Sequence, residues 1–355
     1  MKKGLLLFNL ILLGAVLLAC EKKPVPPTKD SMTFYAMDTQ IVIDLTYSNA
    51  SNKAEIYKDI EDIYMLYDEI SDNFRKYPGV HNVYYINEQA DLSEAEATVE
   101  ITKELYDLID FAYYIQKNSN GYFDIAIGKI IDIWKSIIEE YEMGFLLDPD
   151  AAVEWALKEV EKIDIIEDPI KLFTQDNKYF ITLKKGAKID LGAVAKGYTT
   201  QKAIDYLKNN NIENYLINGG TSSLALGVKT KETPNFNIGL VNPLNIYQNY
   251  GIVRAKNTVI TTSGSNMQKF ETSDGTWYHH IVSPKTKKPE NIYYAISIIG
   301  EGAGLMDAYS TALFSMPLDE VKEFLKNKDI EFIAYQIDQT IEIVNPSGRF
   351  TKTGN

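Results

Sequence analysis

Asp307 and Thr311 lie four residues apart in the segment 304–314, GLMDAYSTALF, and both offer oxygen atoms suited to a hard cation. If the segment is a helix, this spacing places the two side chains on one face, a turn apart. The apolar residues around them indicate a largely buried helix, in which a carboxylate is costly unless it is paired or binds a cation. A role for Asp307 as a helix cap or as a solvent-facing residue fits the residues equally well.

A second candidate is the segment 188–203, KIDLGAVAKGYTTQKA, in which a predicted strand ends at Asp190 and is followed by a predicted helix. Gly192 and Gly197 allow a ligand to approach the main chain closely, and a helix N-terminus favours a phosphate group. Lys196 adds a positive charge to this segment. The glycine spacing matches neither a P-loop nor a dinucleotide-binding fingerprint, so an ordinary glycine-bounded turn remains an alternative.

Three further segments carry weaker signals. Gly219 and Gly220 leave room for either a ligand or a tight turn, and the segment 261–270, TTSGSNMQKF, offers hydroxyl groups at a predicted strand end. His279 and His280 are adjacent in a predicted strand, so their side chains point to opposite faces. At most one of the two histidines therefore faces a given site.

The elements that position these residues follow from the apolar periodicity. Helices are predicted at 52–70, 98–118, 150–161, 194–209, 303–315 and 318–327. Strands are predicted at 33–47 and 178–183, in a series of short runs between 215 and 300, and as a pair near 331–344. Helices come first and mostly antiparallel strands follow. This order predicts an α+β fold with mixed, largely antiparallel sheets and packed helices, in one compact body of one or two lobes.

The N-terminus has the pattern of a bacterial lipoprotein signal. Lys2 and Lys3 precede an apolar run that is too short to span a bilayer, and the run ends in LLAC at Cys20. Cys20 is the only cysteine of the chain, and attachment of acyl chains such as palmitate would remove a thiol that has no disulfide partner. The alternative is a plain signal peptide with a chance cysteine.

This pattern predicts the organisation and the location of the protein. The predicted parts are a signal peptide at 1–19, a lipidated Cys20 with a flexible tether at 20–31, and one domain at 32–355. We expect the protein to be lipid-anchored to a membrane of the cell envelope, with its globular body outside the cytoplasm.

Charge and composition exclude several functions. The formal net charge of −13 argues against nucleic acid as a partner. Three histidines and no thiol after lipidation make a zinc or iron site improbable, whereas the many carboxylates keep a site for a hard cation open.

Taken in order, the segments resemble the ApbE family of flavin transferases. The resemblance runs from about 33 to 315 and is carried by AMDT (36–39), GYFDIAIGKIIDIW (121–134), IDLGAVAKGY (189–198), LINGG (216–220), NIGLVNP (237–243), ITTSG (260–264), HHIVSP (279–284) and MDAYSTAL (306–313). It implies a magnesium-dependent enzyme that transfers FMN from FAD onto a threonine of an exported or membrane acceptor protein and releases AMP.

The resemblance also implies roles for particular residues. FAD is expected near Met37, Phe74, Tyr122, Phe123, Asp124, Asp190, Lys196 and Ile281. Magnesium is expected at the Ala193 carbonyl, Asp307 and Thr311, and His280 is the candidate acceptor of the threonine proton. The sequence departs from the family pattern at Asp38, where glycine is common, and at Ser283, where aspartate is usual.

Two other functions stay open at this point. One is an FAD pyrophosphatase that uses the same site with water as the nucleophile and gives FMN and AMP. The other is a flavin-binding lipoprotein without turnover, and retention of Asp190, Asp307 and Thr311 argues against it.

Overall fold

The computed structural model describes residues 28–47, 52–220 and 222–353. The helices within these residues are α1 (Lys53–Ser71), α2 (Val83–Leu92), α3 (Lys103–Lys117), α4 (Gly128–Glu142), α5 (Pro149–Glu161), α6 (Ala195–Asn209), α7 (Ala303–Phe314) and α8 (Leu318–Leu325). The first half of the strands comprises β1 (Thr28–Ala36), β2 (Thr39–Tyr47), β3 (Glu96–Ile101), β4 (Ile170–Gln175), β5 (Lys178–Lys184), β6 (Tyr215–Gly219), β7 (Ser223–Leu226), β8 (Phe236–Asn242) and β9 (Asn245–Ala255). The second half comprises β10 (Thr258–Gly264), β11 (Lys269–Glu271), β12 (Trp277–His279), β13 (Val282–Ser283), β14 (Lys288–Pro289), β15 (Tyr293–Gly300), β16 (Glu331–Gln336), β17 (Ile341–Val344) and β18 (Phe350–Lys352).

An eight-stranded sheet forms the centre of the fold, with the strand order β1-β2-β6-β7-β10-β15-β16-β17. Every neighbouring pair in this sheet is antiparallel. Two three-stranded sheets, β3-β5-β4 and β18-β9-β8, flank it and are also antiparallel. The predicted α+β class with largely antiparallel sheets is therefore confirmed.

Helices α6 and α7 pack against each other beside the central sheet, at a spacing that only glycine permits. A Cβ atom on Gly197 would lie 2.4 Å from both the Ala303 carbonyl oxygen and the Asp307 Cβ. A Cβ atom on Gly304 would lie 2.9 Å from the Phe111 ring. These two glycines let the helix backbones approach closely, and this approach builds the candidate site.

A second, smaller core lies beneath helices α4 and α5. It joins Trp134 and Val153 to Phe270 and Val282, and the Trp134 ring stacks on Tyr278 with centroids 5.3 Å apart. This core supports β12, the strand that ends immediately before His280.

Several predicted helices are confirmed, and their caps explain where they begin. Helix α5 begins at Pro149, and the Asp148 carboxylate accepts a hydrogen bond from the Ala151 N–H at 3.0 Å. The helix predicted at 98–118 begins too early, because residues 96–101 alternate as a strand and pair with β5. Thr102 then caps α3 by accepting from the Leu105 N–H at 3.3 Å.

The sequence patterns missed two helices and one turn. Helices α2 and α4 were not predicted, and the strand predicted at 33–47 is a hairpin of β1 and β2. The hairpin begins at Thr28, inside the segment predicted as a tether, because Thr28 pairs with Tyr47. Residues 1–27, which include the predicted signal peptide and Cys20, lie outside the described residues. No helix among the described residues is long and apolar enough to cross a membrane.

Candidate active site

Asp307 is the centre of the candidate site, where α7 passes the first turn of α6. Its side chain is buried, and its Oδ2 accepts a hydrogen bond from the Gly197 N–H at 2.9 Å. Burial raises the pKa of the Asp307 carboxyl, while the charge of Lys196 and the Gly197 N–H act in the opposite direction. The predicted burial of this carboxylate is therefore found, and it caps the neighbouring helix rather than its own.

The Ala193 carbonyl is left available by the same hydrogen bond. In a helix that began one turn earlier, the Gly197 N–H would donate to the Ala193 carbonyl, but it donates to Asp307 instead. Thr311 lies on α7 one turn after Asp307, and its hydroxyl is 3.5 Å from the Asp307 carbonyl oxygen. A carboxylate, a hydroxyl and a carbonyl thus meet where α6 begins against α7.

This donor set has the chemistry of a hard-cation site. Magnesium prefers oxygen ligands, keeps several waters, and is commonly held by only one or two carboxylates. No group of three or more His, Cys, Asp or Glu side chains that could hold a metal ion occurs among the described residues. A cation here would therefore depend on one carboxylate, supplemented by neutral oxygens.

Asp190 and Lys196 lie on the two sides of the turn that leads into α6. The Asp190 Oδ1 accepts from the Gly192 N–H at 2.8 Å, and its Oδ2 accepts from the Asn73 side-chain amide at 2.8 Å. The Lys196 ammonium donates to the Gly192 carbonyl at 3.1 Å. The turn thus presents a carboxylate and an ammonium group beside Asp307.

The two adjacent histidines point in different directions, as predicted. His279 is fully buried against Phe314, and its Nδ1 accepts from the Ile281 N–H at 3.2 Å, so it is a structural residue. His280 reaches solvent from a recess near Lys196. Burial in this recess and then the Lys196 charge lower the pKa of His280 to about 4, so its imidazole is neutral at neutral pH.

Met37 lies at the hairpin turn between β1 and β2. Met37 and Asp38 both have positive φ, 55° and 54°, as the two central residues of a two-residue hairpin turn require. The Met37 N–H donates to the Asp68 carboxylate at 2.8 Å, which holds this strained turn in place. Aspartate tolerates this conformation better than most residues, which explains how Asp38 can replace glycine.

Phe74 extends from the loop between α1 and α2 and is 47% exposed. The Lys135 ammonium lies 3.7 Å from the centre of its ring. Phe74 directly follows Asn73, which bonds to Asp190, so the loop brings an exposed aromatic ring near the turn of α6.

The residues 122–124 face two different surroundings. Tyr122 is buried, donates to the Glu320 carboxylate at 3.0 Å, and has the Lys285 ammonium 3.6 Å from its ring centre. Phe123 and Asp124 line a cavity of about 260 Å³, and burial raises the pKa of Asp124. The main chain connects this segment to the site, because the Asp190 N–H donates to the Ile125 carbonyl at 2.8 Å.

A larger cavity of about 590 Å³ lies elsewhere and contains none of the predicted site residues; it is lined by Asn242, Gln248, Asn249, Tyr250, Tyr335, Gln339, Ile341, Lys352 and Thr353. Cavity size alone therefore does not identify the candidate site.

Sequence reasoning missed Asn73, Asn87 and Ser310. Ser310 accepts from the Ser263 hydroxyl at 3.0 Å and donates to the Asp307 carbonyl at 2.8 Å, which ties β10 to α7. The hydroxyl-rich segment 261–270 was noted, but its contact with α7 joins residues far apart in the sequence. Buried polar residues of this kind give no periodic signal.

The fold is similar to that of two solved structures. The ApbE protein of Thermotoga maritima matches with a TM-score of 0.73 and 22% identity, covering 90% of this chain and 97% of that one. The flavin transferase ApbE of Vibrio cholerae matches with a TM-score of 0.68 and 18% identity, covering 91% of this chain and 98% of that one. The chain thus has the ApbE fold.

Sequence comparison gives the family itself. The model described as the ApbE family matches residues 37–334, and the chain belongs to this family. An FAD:protein FMN transferase of Klebsiella pneumoniae is 27% identical over 254 residues, covering 70% of this chain and 74% of that protein. One from Treponema pallidum is 27% identical over 230 residues, covering 61% of each chain.

Proposed function

We propose that this protein is an FAD:protein FMN transferase, which transfers FMN from FAD to a threonine side chain of an acceptor protein and releases AMP. The observation that carries the proposal is the buried Asp307 carboxylate, fixed by the Gly197 N–H between two helices that glycines bring together. Membership of the ApbE family and similarity to proteins that bear this activity in their names support it.

The reaction assigns distinct tasks to the residues of the site. The threonine hydroxyl oxygen forms a bond to the phosphorus on the FMN side, the bond from that phosphorus to the bridging oxygen breaks, and AMP leaves. The neutral imidazole of His280 accepts the hydroxyl proton, because its lowered pKa keeps it unprotonated at neutral pH. The Lys196 ammonium supplies positive charge for the phosphates in a protein with a formal net charge of −13.

Magnesium is part of the proposal, since the available oxygens fit it. The Asp307 carboxylate, the Thr311 hydroxyl and the Ala193 carbonyl would hold the ion, which when bound neutralises charge on the pyrophosphate. The raised pKa of Asp307 is consistent with a carboxylate whose burial a cation would offset.

Flavin titrations test the assignment of FAD. Calorimetry with FAD, FMN and riboflavin should give the tightest binding for FAD, because the candidate site combines phosphate-side and flavin-side residues. Equal affinity for riboflavin and FAD would contradict recognition of the pyrophosphate. Incubation with FAD and magnesium without an acceptor then separates the transferase from an FAD pyrophosphatase, which would release AMP under these conditions. A flavin-binding lipoprotein would bind FAD and give no product with any acceptor.

The location and the partner belong to the same proposal. An acceptor protein with a reactive threonine, exposed at the cell envelope, would meet the enzyme outside the cytoplasm. The acyl chains on Cys20 would hold the enzyme at the membrane, and the LLAC segment with its single cysteine supports this anchor.

A further inference from the structure

We propose that Asn73 and Asn87 act together as positioning residues for the Asp190 carboxylate, an inference that rests on the proposed function. Both asparagines are buried, at 6% exposure, and they come from the loop before α2 and from α2 itself. They reach a segment about a hundred residues later in the chain. Neither residue shares an element with Asp190, so the contacts form only in the folded protein.

Asn87 holds the main chain immediately before Asp190. Its Nδ2 donates to the Ile189 carbonyl at 2.8 Å, and its Oδ1 accepts from the Ile189 N–H at 2.7 Å. The side-chain amide thus satisfies both main-chain groups of Ile189, as a neighbouring strand residue would. On its other side, the Asp190 N–H donates to the Ile125 carbonyl at 2.8 Å. The segment is held from both sides although it belongs to no strand.

Asn73 fixes the direction of the carboxylate itself. Its Nδ2 donates to the Asp190 Oδ2 at 2.8 Å, while the Gly192 N–H donates to Oδ1 at the same distance. A carboxylate that only capped the turn would need one of these bonds. An ionised carboxylate accepts about four hydrogen bonds, so two acceptor directions remain for a ligand.

The choice of asparagine has a chemical consequence. Lysine or arginine at position 73 would form an ion pair and neutralise Asp190, whereas an amide orients the carboxylate and leaves its charge. The side chain of Asp190 is half-buried, so it remains accessible from one side. The arrangement therefore presents a negatively charged acceptor, fixed in direction, to N–H or O–H donors of FAD.

A double-mutant cycle on FAD binding tests the inference. Asn73→Ala and Asp190→Ala should each weaken FAD binding, Asn73→Ala by roughly tenfold or more, as expected for a lost hydrogen bond to a charged group. The double variant should bind FAD no more weakly than Asp190→Ala alone, because Asn73 acts only through Asp190. The KM for FAD should rise in Asn73→Ala while kcat at saturating FAD is retained.

Controls separate positioning from folding. Asn214→Ala removes another side-chain amide bond, the 2.9 Å bond to the Val228 carbonyl, and should leave FAD affinity unchanged. If Asn73→Ala does not fold, Asn73→Asp keeps the shape, removes the donor, and should also lose FAD affinity. Additive losses in the cycle, or wild-type FAD affinity in either Asn73 variant, would overturn the positioning role alone. Absence of FAD binding by the wild-type protein would instead overturn the proposed function, and this inference with it.

Discussion

The Oδ2 atom of Asp307 lies 2.9 Å from the main-chain nitrogen of Gly197 and accepts its hydrogen bond. The residue before α6 is Val194, whose side chain cannot cap the helix, so the carboxylate of the neighbouring helix takes that role. One oxygen of Asp307 is thereby fixed, and the carboxylate is oriented before any cation or flavin binds. The same hydrogen bond therefore serves the fold and the candidate site.

Replacing Asp307 should separate activity from stability. We expect Asp307→Ala and Asp307→Asn to lower magnesium-dependent FMN transfer by about three orders of magnitude, since the only charged ligand proposed for the cation is lost. The measurement is transfer to an acceptor threonine at saturating FAD across a magnesium titration. Thr311→Ala is the comparison and should lose less, because water can take one magnesium position. A near wild-type rate for Asp307→Ala at low magnesium would show that the metal lies elsewhere.

The stability of Asp307→Asn should change in the opposite direction. The folded-state pKa of Asp307 is raised, so the folded protein binds this proton more tightly and loses stability as pH rises above the unfolded-state pKa. The substituted amide would keep an oxygen for the Gly197 N–H and carry no charge. We therefore expect Asp307→Asn to raise Tm at pH 7, without bound metal, and to have little effect at a pH below the unfolded-state pKa. A lower Tm at pH 7 would contradict this account.

The pH dependence of transfer should follow His280. Because the pKa of His280 is lowered to about 4, the base form persists in mildly acidic solution and kcat should fall only as pH approaches that value. Lys196→Met removes a charge that lowers this pKa, so the acid limb should move to higher pH, toward 6.5. His280→Gln should lose roughly a hundredfold to ten-thousandfold in kcat. His81→Gln, at an exposed ring stacked on Tyr85, is the control and should leave the profile unchanged. An unshifted acid limb in Lys196→Met would exclude His280 as the base.

Gly197→Ala should destabilise the protein although alanine favours helices. The added methyl group would lie 2.4 Å from the Ala303 carbonyl oxygen, a main-chain atom that cannot rotate away. We expect a loss of about 1–3 kcal/mol in the free energy of unfolding, as is usual for overpacking. Urea unfolding measures it, and an increase in stability would show that the two helices can separate without cost.

Membrane attachment should depend on Cys20 alone. Cys20→Ser should give a folded protein that no longer sediments with membranes, because the anchor is covalent lipid. Persistent sedimentation after a high-salt wash would contradict the lipoprotein prediction.

The spacing of Asp307 and Thr311 predicted one face of a buried helix, because both residues belong to the same element and helical periodicity relates them directly. The adjacent histidines were predictable for the same reason, since alternation in a strand sends neighbours to opposite faces. Asp148 and Pro149 marked a helix start through purely local hydrogen bonding. In each case the determining interactions lie within a few residues.

The contacts that complete the site are not local and were not predicted. Asn73 meets Asp190, and Gly197 meets Asp307, only after distant elements pack. The Met37 turn was missed because neither Met37 nor Asp38 is the glycine that such turns favour. Residues 98–101 were assigned to a helix because apolar spacing over six residues cannot separate the end of a strand from the start of a helix.

The order of strands in the central sheet sets the pace at which the protein can fold. The hairpin of β1 and β2 forms early in the chain, yet its inner partner is β6, where Ile41 pairs with Gly219. More than half of the chain must therefore be available before the hairpin can join the sheet, and pairing at such long range makes folding slow. We expect a nascent chain that ends before β6 to remain uncollapsed at this edge. For a protein that must cross a membrane before it folds, this late closure of the sheet would lengthen the interval in which export is still possible.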